Sequence, residues 1–458
     1  MSRIKEVFAF VVIMLFLVGC AAQKPEEQGP PIQQEVQEEV QPEQVVIQEQ
    51  AVVQEQAVVP AAQEVKTGSA VNIFYVSTTG SDENTGTKEN PWKTPGFGSR
   101  QLKAGDTLII LPGKYSVSRF DDDIIIPESG TKDKLVTIKG ISDDGKRAIL
   151  AGSNNLLTAI DLSNKEYVQI EGLEIASDNG ANFRDGLEIM NGPASHIILK
   201  NLYIHNVDEF GMNIGDIDDL KIIDSNITYA GFGAVGGPAG EHGGWRNVLL
   251  ENDYFAYSGH YYQGGAGPSP YDRPDGFGIE ASNGPIEISN VLVEHNRGDG
   301  LDSKAANTYI HDSIVKDNSC DGVKMWGAGS RLEDTTISGR GDGNTEATPW
   351  ADIVIDAEKA GAEFQISRVN IEDTVGNNYV MHAQYDRPDV PVKISVKDSV
   401  FRALGPNSPI FIGRASTISF TNTVFYLPQS DFVLEKGDVR YDKSQLDALG
   451  AGNTYSAS

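Results

Sequence analysis

Asp275-Gly-Phe-Gly-Ile-Glu280, Asp299-Gly-Leu-Asp302-Ser-Lys304 and Asp321-Gly-Val-Lys324-Met-Trp326 share the frame Asp-Gly-apolar-x and begin 24 and then 22 residues apart. Side chains alternate along a strand with a period of two. Phe277, Leu301 and Val323 therefore face one way, and Gly278, Asp302 and Lys324 the other, together with Glu280, Lys304 and Trp326. Strands stacked in register set neighbouring side chains about 5 Å apart. That arrangement lines up carboxylates beside lysines on a solvent-facing sheet.

A second repeat argues for the stacking independently. Alternating apolar residues, one Asn or Asp, then x-x-apolar recur at Asn201, Asp224, Asn252, Asn290, Asp312, Asp334, Asp398 and Asn422, with Gly172 and Arg368 in the same slot of two further copies. The closest copies lie 22 to 24 residues apart. A fixed period in this range signals a solenoid, in which each repeat buries its face only against its neighbours. The copies are rich in Val, Ile, Thr, Tyr and Phe, alternate with period two and break at Asn, Asp and Gly, which are strand and turn signals. No stretch carries a capped 3.6-residue apolar stripe, so helices are not expected. The fold class is all-β, a right-handed parallel β-helix. Asn and Asp suit its corners because they tolerate the left-handed conformation and hydrogen-bond local backbone.

Longer spacings locate insertions. One, between Asn252 and Asn290, carries His260, Tyr261, Tyr262, Tyr271 and Arg273; the other, between Asp334 and Arg368, carries Arg340 and Trp350. Loops on a rigid scaffold are where binding residues concentrate. Tyr261, Tyr262, Arg273 and Arg340 are accordingly expected to line a sugar cleft with Lys304 and Trp326.

The start of the chain reads differently. Arg3 and Lys5 precede an apolar run from Val7 to Leu17 that ends in Leu17-Val-Gly-Cys20. The run is too short to span a bilayer and has the parts of a secretory signal. Its ending resembles a bacterial lipoprotein signal, which implies lipidation of Cys20, and Ala21 then favours the outer membrane. Residues 21–66 are mostly Gln, Glu, Val, Pro and Ala, a composition that cannot bury enough surface to fold. The expected organisation is a signal over 1–20, an acidic tether over 21–66 and a β-helix over 67–458, anchored in the bacterial cell envelope. A formal net charge of −28 argues against nucleic acid as a partner. It also means that a polyanionic sugar needs local positive charge or a bridging cation. A monomer is expected. Cys320 is the only cysteine besides Cys20, so no disulfide is expected within the β-helix.

The Asp-Gly strands resemble polysaccharide lyase family nine, the β-helical pectate lyases and their relatives. Asp275-Gly-Phe fits that family's first element, Asp299-Gly-Leu-Asp302 its second, and Gly322-Val-Lys324-Met its third. Phe74-Tyr-Val-Ser-Thr-Thr-Gly-Ser-Asp82, Asn90-Pro-Trp and Ala104-Gly-Asp-Thr-Leu-Ile-Ile-Leu-Pro-Gly-Lys-Tyr115 resemble the cap and first turn of the same group. The resemblance implies Ca²⁺ on Asp275, Asp299 and Asp302, Lys324 as general base, and an acidic polysaccharide as substrate. Two features depart from the family. Gly298 stands where its first paired aspartate would be, and the lysine strand follows after one turn instead of two.

Calcium-assisted β-elimination fits these residues. A cation on oxygen ligands neutralises a uronate carboxylate, and a lysine whose pKa is lowered takes the neighbouring proton. Three other readings stand beside it. Asp302 with Lys324, and Glu280 with Lys304, read equally as cross-strand ion pairs. Asp299 and Asp302 are close enough in sequence to serve as the carboxylate pair of a glycoside hydrolase. The aromatic loops would serve a non-catalytic glycan-binding module.

Overall fold

The computed structural model of this protein describes residues 72–153, 156–177, 183–340, 351–373, 379–404 and 409–456. Cys20, the 21–66 segment, Trp350 and the side chain of Arg340 lie outside the described residues.

Three long sheets run the length of the solenoid, two of 13 strands and one of 12 among the described residues. Pairing within these three sheets is parallel, save for a closing hairpin between Phe432–Lys436 and Val439–Asp442, and a separate antiparallel hairpin joins Tyr261–Tyr262 to Gly265–Ala266. Each turn passes from the first sheet through a tight corner to the second, then to the third. In one turn these strands are Ala194–Lys200, Tyr203–Val207 and Phe210–Ile214. The chain is a right-handed parallel β-helix, as the repeat predicts.

The tight corner is the Asn/Asp slot. Asn201, Asp224, Asn252, Asn290, Asp312, Asp334, Asp398 and Asn422 all have φ between +46° and +60°, and Gly172 and Arg368 share the conformation. Their side chains bond from turn to turn: Asn252 Nδ2 donates to Asp224 at 3.1 Å, Asn290 Nδ2 to Asn252 at 2.6 Å and Asn422 Nδ2 to Asp398 at 3.0 Å. At Arg368 the guanidinium bridges back to Asp334 at 2.7 Å.

Inside the third sheet one apolar column runs Leu187, Met212, Val235, Phe277, Leu301, Val323, Ile353, Met381 and Ile410. Every member is at most 1% exposed. Burial of each such side chain stabilises by about 1.5–3 kcal/mol. The opposite parity faces outward, which fixes where Asp302 and Lys324 project.

Short helices close the ends, contrary to the all-strand expectation. Pro95–Gln101 starts with proline in its first turn and packs Gly98 against Val76 and Leu108. At the far end Leu446 and Leu449 of a one-turn helix join the core. Segments of four to seven residues are too short for a 3.6-residue period to register in the sequence.

Candidate active site on the third sheet

The strands Asp275–Ile279, Leu301–Ser303 and Val323–Met325 pair in the predicted register, with Gly278, Asp302 and Lys324 in one outward row. The aspartate that opens each Asp-Gly frame sits at the edge of the sheet, Asp275 as the first residue of its strand and Asp299 and Asp321 just before theirs, and clips onto the next turn. Asp275 Oδ1 accepts the Asp299 amide at 2.7 Å, Asp299 Oδ1 the Asp321 amide at 2.9 Å, and Asp321 Oδ1 the Ala351 amide at 2.9 Å. The glycines are demanded by close packing. A Cβ on Gly276 would lie 2.7 Å from the Asn296 amide and 2.8 Å from the Gly300 carbonyl, and one on Gly300 would meet Asn318 and Gly322 equally closely.

Their other oxygens converge. Carboxylate oxygens of Asp275, Asp299 and Asp302 lie within 4.8 Å of one another. Lys324 Nζ stands 3.4 Å from Asp299 Oδ2 and 3.3 Å from Asp302 Oδ2. Lys304 Nζ reaches Asp302 at 3.2 Å and Glu280 at 2.9 Å. Four buried or half-buried carboxylates, Asp321 included, thus share two ammonium groups. Burial, with the Asp299 and Asp302 charges behind it, holds the Asp275 pKa well above the usual carboxylate range. Burial likewise raises Asp302, while Lys324 and Lys304 pull it back. Asp302 Oδ1 is buried with no hydrogen-bond partner. An acidic cluster short of positive charge, with an orphaned oxygen, fits a metal ion.

The geometry corrects the expected state of Lys324. Burial alone would lower its pKa, but Asp299, Asp302, Asp321 and Asp275 outweigh burial and raise it. The carboxylates therefore hold the ammonium in place and outweigh the repulsion between Lys304 and Lys324, which share Asp302. Gly298 is also more than a missing ligand. A Cβ there would lie 2.3 Å from Asp275 Oδ1 and 2.5 Å from the Arg273 carbonyl, so Asp275 occupies the space an aspartate at 298 would need.

Of the expected sugar contacts, Trp326 is central. Lys304, Lys324 and Arg387 stand 5.7, 5.5 and 5.7 Å from its ring centroid. Arg273 is exposed and lies within the field of Asp299. Tyr262 lies edge-on to Tyr271 in the loop. Tyr261 is a correction: it is 6% exposed, because its half of the Tyr261–Tyr262 hairpin packs inward, and it offers little surface to a ligand. Arg387 and Asp356 escaped sequence reasoning. Asp356 is buried, with its carboxylate 3.4 and 3.3 Å from the amides of Asp386 and Arg387, and so holds the loop that carries the guanidinium. The strand Ala351–Ile355 lacks the Asp-Gly frame, so no motif marks either residue.

Two carboxyls near this face give the protein a testable pH dependence. Burial, then Asp161 and Asp185, push Glu188 up to about 7, and burial, then Asp386, push Asp356 up to about 7. Both bind a proton more tightly in the folded state, so their contribution to stability is complete below about pH 4 and lost as pH rises through about 7. Each tenfold difference in proton affinity is worth about 1.4 kcal/mol. The thermal midpoint is expected to fall between pH 5 and pH 8, and Glu188→Gln to flatten that slope. A midpoint that rises over this range in calorimetry would contradict the assignment.

Comparison with known proteins agrees with this architecture. A Bacillus subtilis (strain 168) protein described as uncharacterized protein YwoF is 28% identical over 142 residues, 30% of this chain and 29% of that protein. The match thus spans under a third of this curated relative. Among solved structures, the A-module of Azotobacter vinelandii mannuronan C-5 epimerase AlgE4 superposes with a TM-score of 0.50 at 13% identity, covering 77% of this chain and 89% of that one. Pectate lyase Pel9A superposes with a TM-score of 0.40 at 12% identity, covering 80% and 79%. The likeness to the epimerase module is one of fold. Residues 74–345, more than half of the sequence, match the family described as Pel9A-like, right handed beta helix region, and the chain belongs to that family.

Proposed function

We propose that this β-helix is a polysaccharide lyase that cleaves a uronate-containing polymer by calcium-assisted β-elimination. The observation that carries the reading is the buried cluster of Asp275, Asp299, Asp302 and Asp321 around Lys324, with Asp302 Oδ1 left unpartnered. Asp275, Asp299 and Asp302 would hold the ion, which when bound neutralises the sugar carboxylate and acidifies the proton beside it. Lys324 Nζ, once it has released its own proton to solvent with the ion drawing on Asp299 and Asp302, would be the base that accepts that proton. The electron pair left behind forms the new carbon–carbon double bond as the glycosidic carbon–oxygen bond breaks, and the departing oxygen takes up a proton from solvent.

Lys324 needs a lone pair for this step, and its proton is held chiefly by Asp299 and Asp302. Metal ligation and base strength are therefore coupled through the same two carboxylates. Lys304 fixes Asp302 and Glu280, and Arg387 supplies a further cation beside Trp326 for the sugar's charge. On this reading, a lipid on Cys20 would hold the enzyme at the cell envelope.

Incubation with uronate polymers is expected to generate new ultraviolet absorbance that a chelator abolishes and excess calcium restores. Calcium should also raise the thermal midpoint, by about 2.7 kcal/mol of stability at a hundredfold excess over Kd, and Asp302→Asn should lose most of that rise. New reducing ends without absorbance would instead assign hydrolysis. No cleavage of any uronate polymer would leave a glycan-binding module.

A further inference from the structure

A cleft of about 410 Å³ opens on the outward face of the third sheet, beside the candidate metal site, with which it shares Asp275, Asp302 and Lys304. That volume is in the range of small-ligand sites, about 300–1,000 Å³. Its floor is stripped of side chains at Gly233, Gly237 and Gly278. Packing enforces the bareness: a Cβ on Gly233 would lie 3.1 Å from the Phe210 ring, and one on Gly278 would lie 2.7 Å from Asp275 Oδ2. Two rings, Phe210 and Phe232, form its wall, and Tyr271 backs the second from outside the lining. Phe210 meets Phe232 at 4.8 Å between centroids, and Phe232 stacks on Tyr271 at 4.9 Å. Tyr271 is anchored through its hydroxyl, which donates to Glu209 at 3.1 Å. Phe232, in the middle, is 36% exposed.

The charge around the cleft decides what it can hold. Asp275, Glu280 and Asp302 line it, and the one lining cation among the described residues is Lys304, already engaged by Glu280 and Asp302. In the ion-free protein a sugar carboxylate placed there would face net negative charge. On the C-terminal side Lys304, Lys324 and Arg387 gather around Trp326, with Lys324 shared by Asp299 and Asp302 and Arg387 paired with Glu358 at 3.4 Å.

We infer that the cleft is a subsite for an uncharged pyranose, whose CH-rich face lies against Phe232. The polymer is accordingly one in which a neutral sugar adjoins the uronate that meets the cations around Trp326. This rests on the lyase reading for the place of the uronate. The cleft's preference for an uncharged ring rests on its own lining.

Binding without turnover tests it. Oligosaccharides with alternating uronate and neutral sugars (rhamnogalacturonan and hyaluronan fragments) and all-uronate oligogalacturonates would be titrated calorimetrically into the full-length protein in chelator. Phe232→Ala is expected to weaken the alternating oligomers roughly three- to tenfold, as loss of one ring contact does. Oligogalacturonate affinity should stay unchanged, and Phe232→Tyr should restore the alternating oligomers. Equal loss for both classes, no loss for either, or no binding of alternating oligomers by the wild type would overturn the subsite. Should Phe232→Ala lower the thermal midpoint, Phe232→Leu, which keeps apolar bulk without the ring, must show the same selective loss. Failure of the lyase reading appears separately, as absence of new ultraviolet absorbance in protein that still binds the alternating oligomers.

Discussion

Lys324→Ala is expected to lower the rate of cleavage by about 10²–10⁴-fold, the contribution of a positioned general base. The structure adds a second effect that an outward-facing lysine would not by itself suggest. Lys324 is only 13% exposed and is shared by Asp299 and Asp302. Removing one partner from a buried charge cluster costs about 3–5 kcal/mol. The metal-free alanine variant should therefore melt early, and calcium should recover more stability in it than in the wild type, because the competing ammonium is gone. Lys324→Arg separates the two roles. A guanidinium keeps the charge and much of the stability, yet cannot deprotonate near neutral pH and so cannot serve as the base. Initial rates and melting curves of both variants, with and without calcium, check this. Alanine variant protein that cleaves at the wild-type rate would end the assignment of the base. Destabilisation without any loss of rate would reduce Lys324 to an ion-pair partner.

Val323→Asp is expected to be the most destabilising single change at this face. Val323 is fully buried between Leu301 and Ile353 in the inward column, one residue from the outward lysine. The substitution forfeits about 1.5–3 kcal/mol of apolar burial and places an unpaired carboxylate in the stack, so the total should exceed about 4 kcal/mol. Each turn of a solenoid leans on its neighbours. Amide exchange should therefore rise first in the turns that carry Asp299, Asp302 and Ile353. Val323→Ile, which changes the volume by one methylene, is the control. A variant with aspartate at 323 that melts with the wild type would mean the strand faces the other way.

The inward and outward parity of these strands was legible in the sequence because a period of two admits only two phases, and burying Phe277, Leu301 and Val323 selects one. The corner column was legible for an equally local reason: a left-handed residue favours Asn, Asp or Gly whatever surrounds it. The meeting of Asp275, Asp299, Asp302 and Lys324 followed from those two facts and the spacing. Other features depend on what distant segments bring. The held proton on Lys324 reflects four carboxylates packed from adjacent turns, and no pairwise spacing gives that sum. Gly298 reads as a lost ligand until Asp275 is seen to fill its space. Arg387 comes from two turns beyond the lysine, held by Asp356. Phe210, the first residue of its strand, and Phe232, in the bend before the next, come from the two turns before Asp275, and no motif marks either. Sequence fixes which face a side chain takes, because that depends on its own neighbours along the strand. The charge and walls of a site are sums over turns far apart in the chain, so only the folded stack decides them.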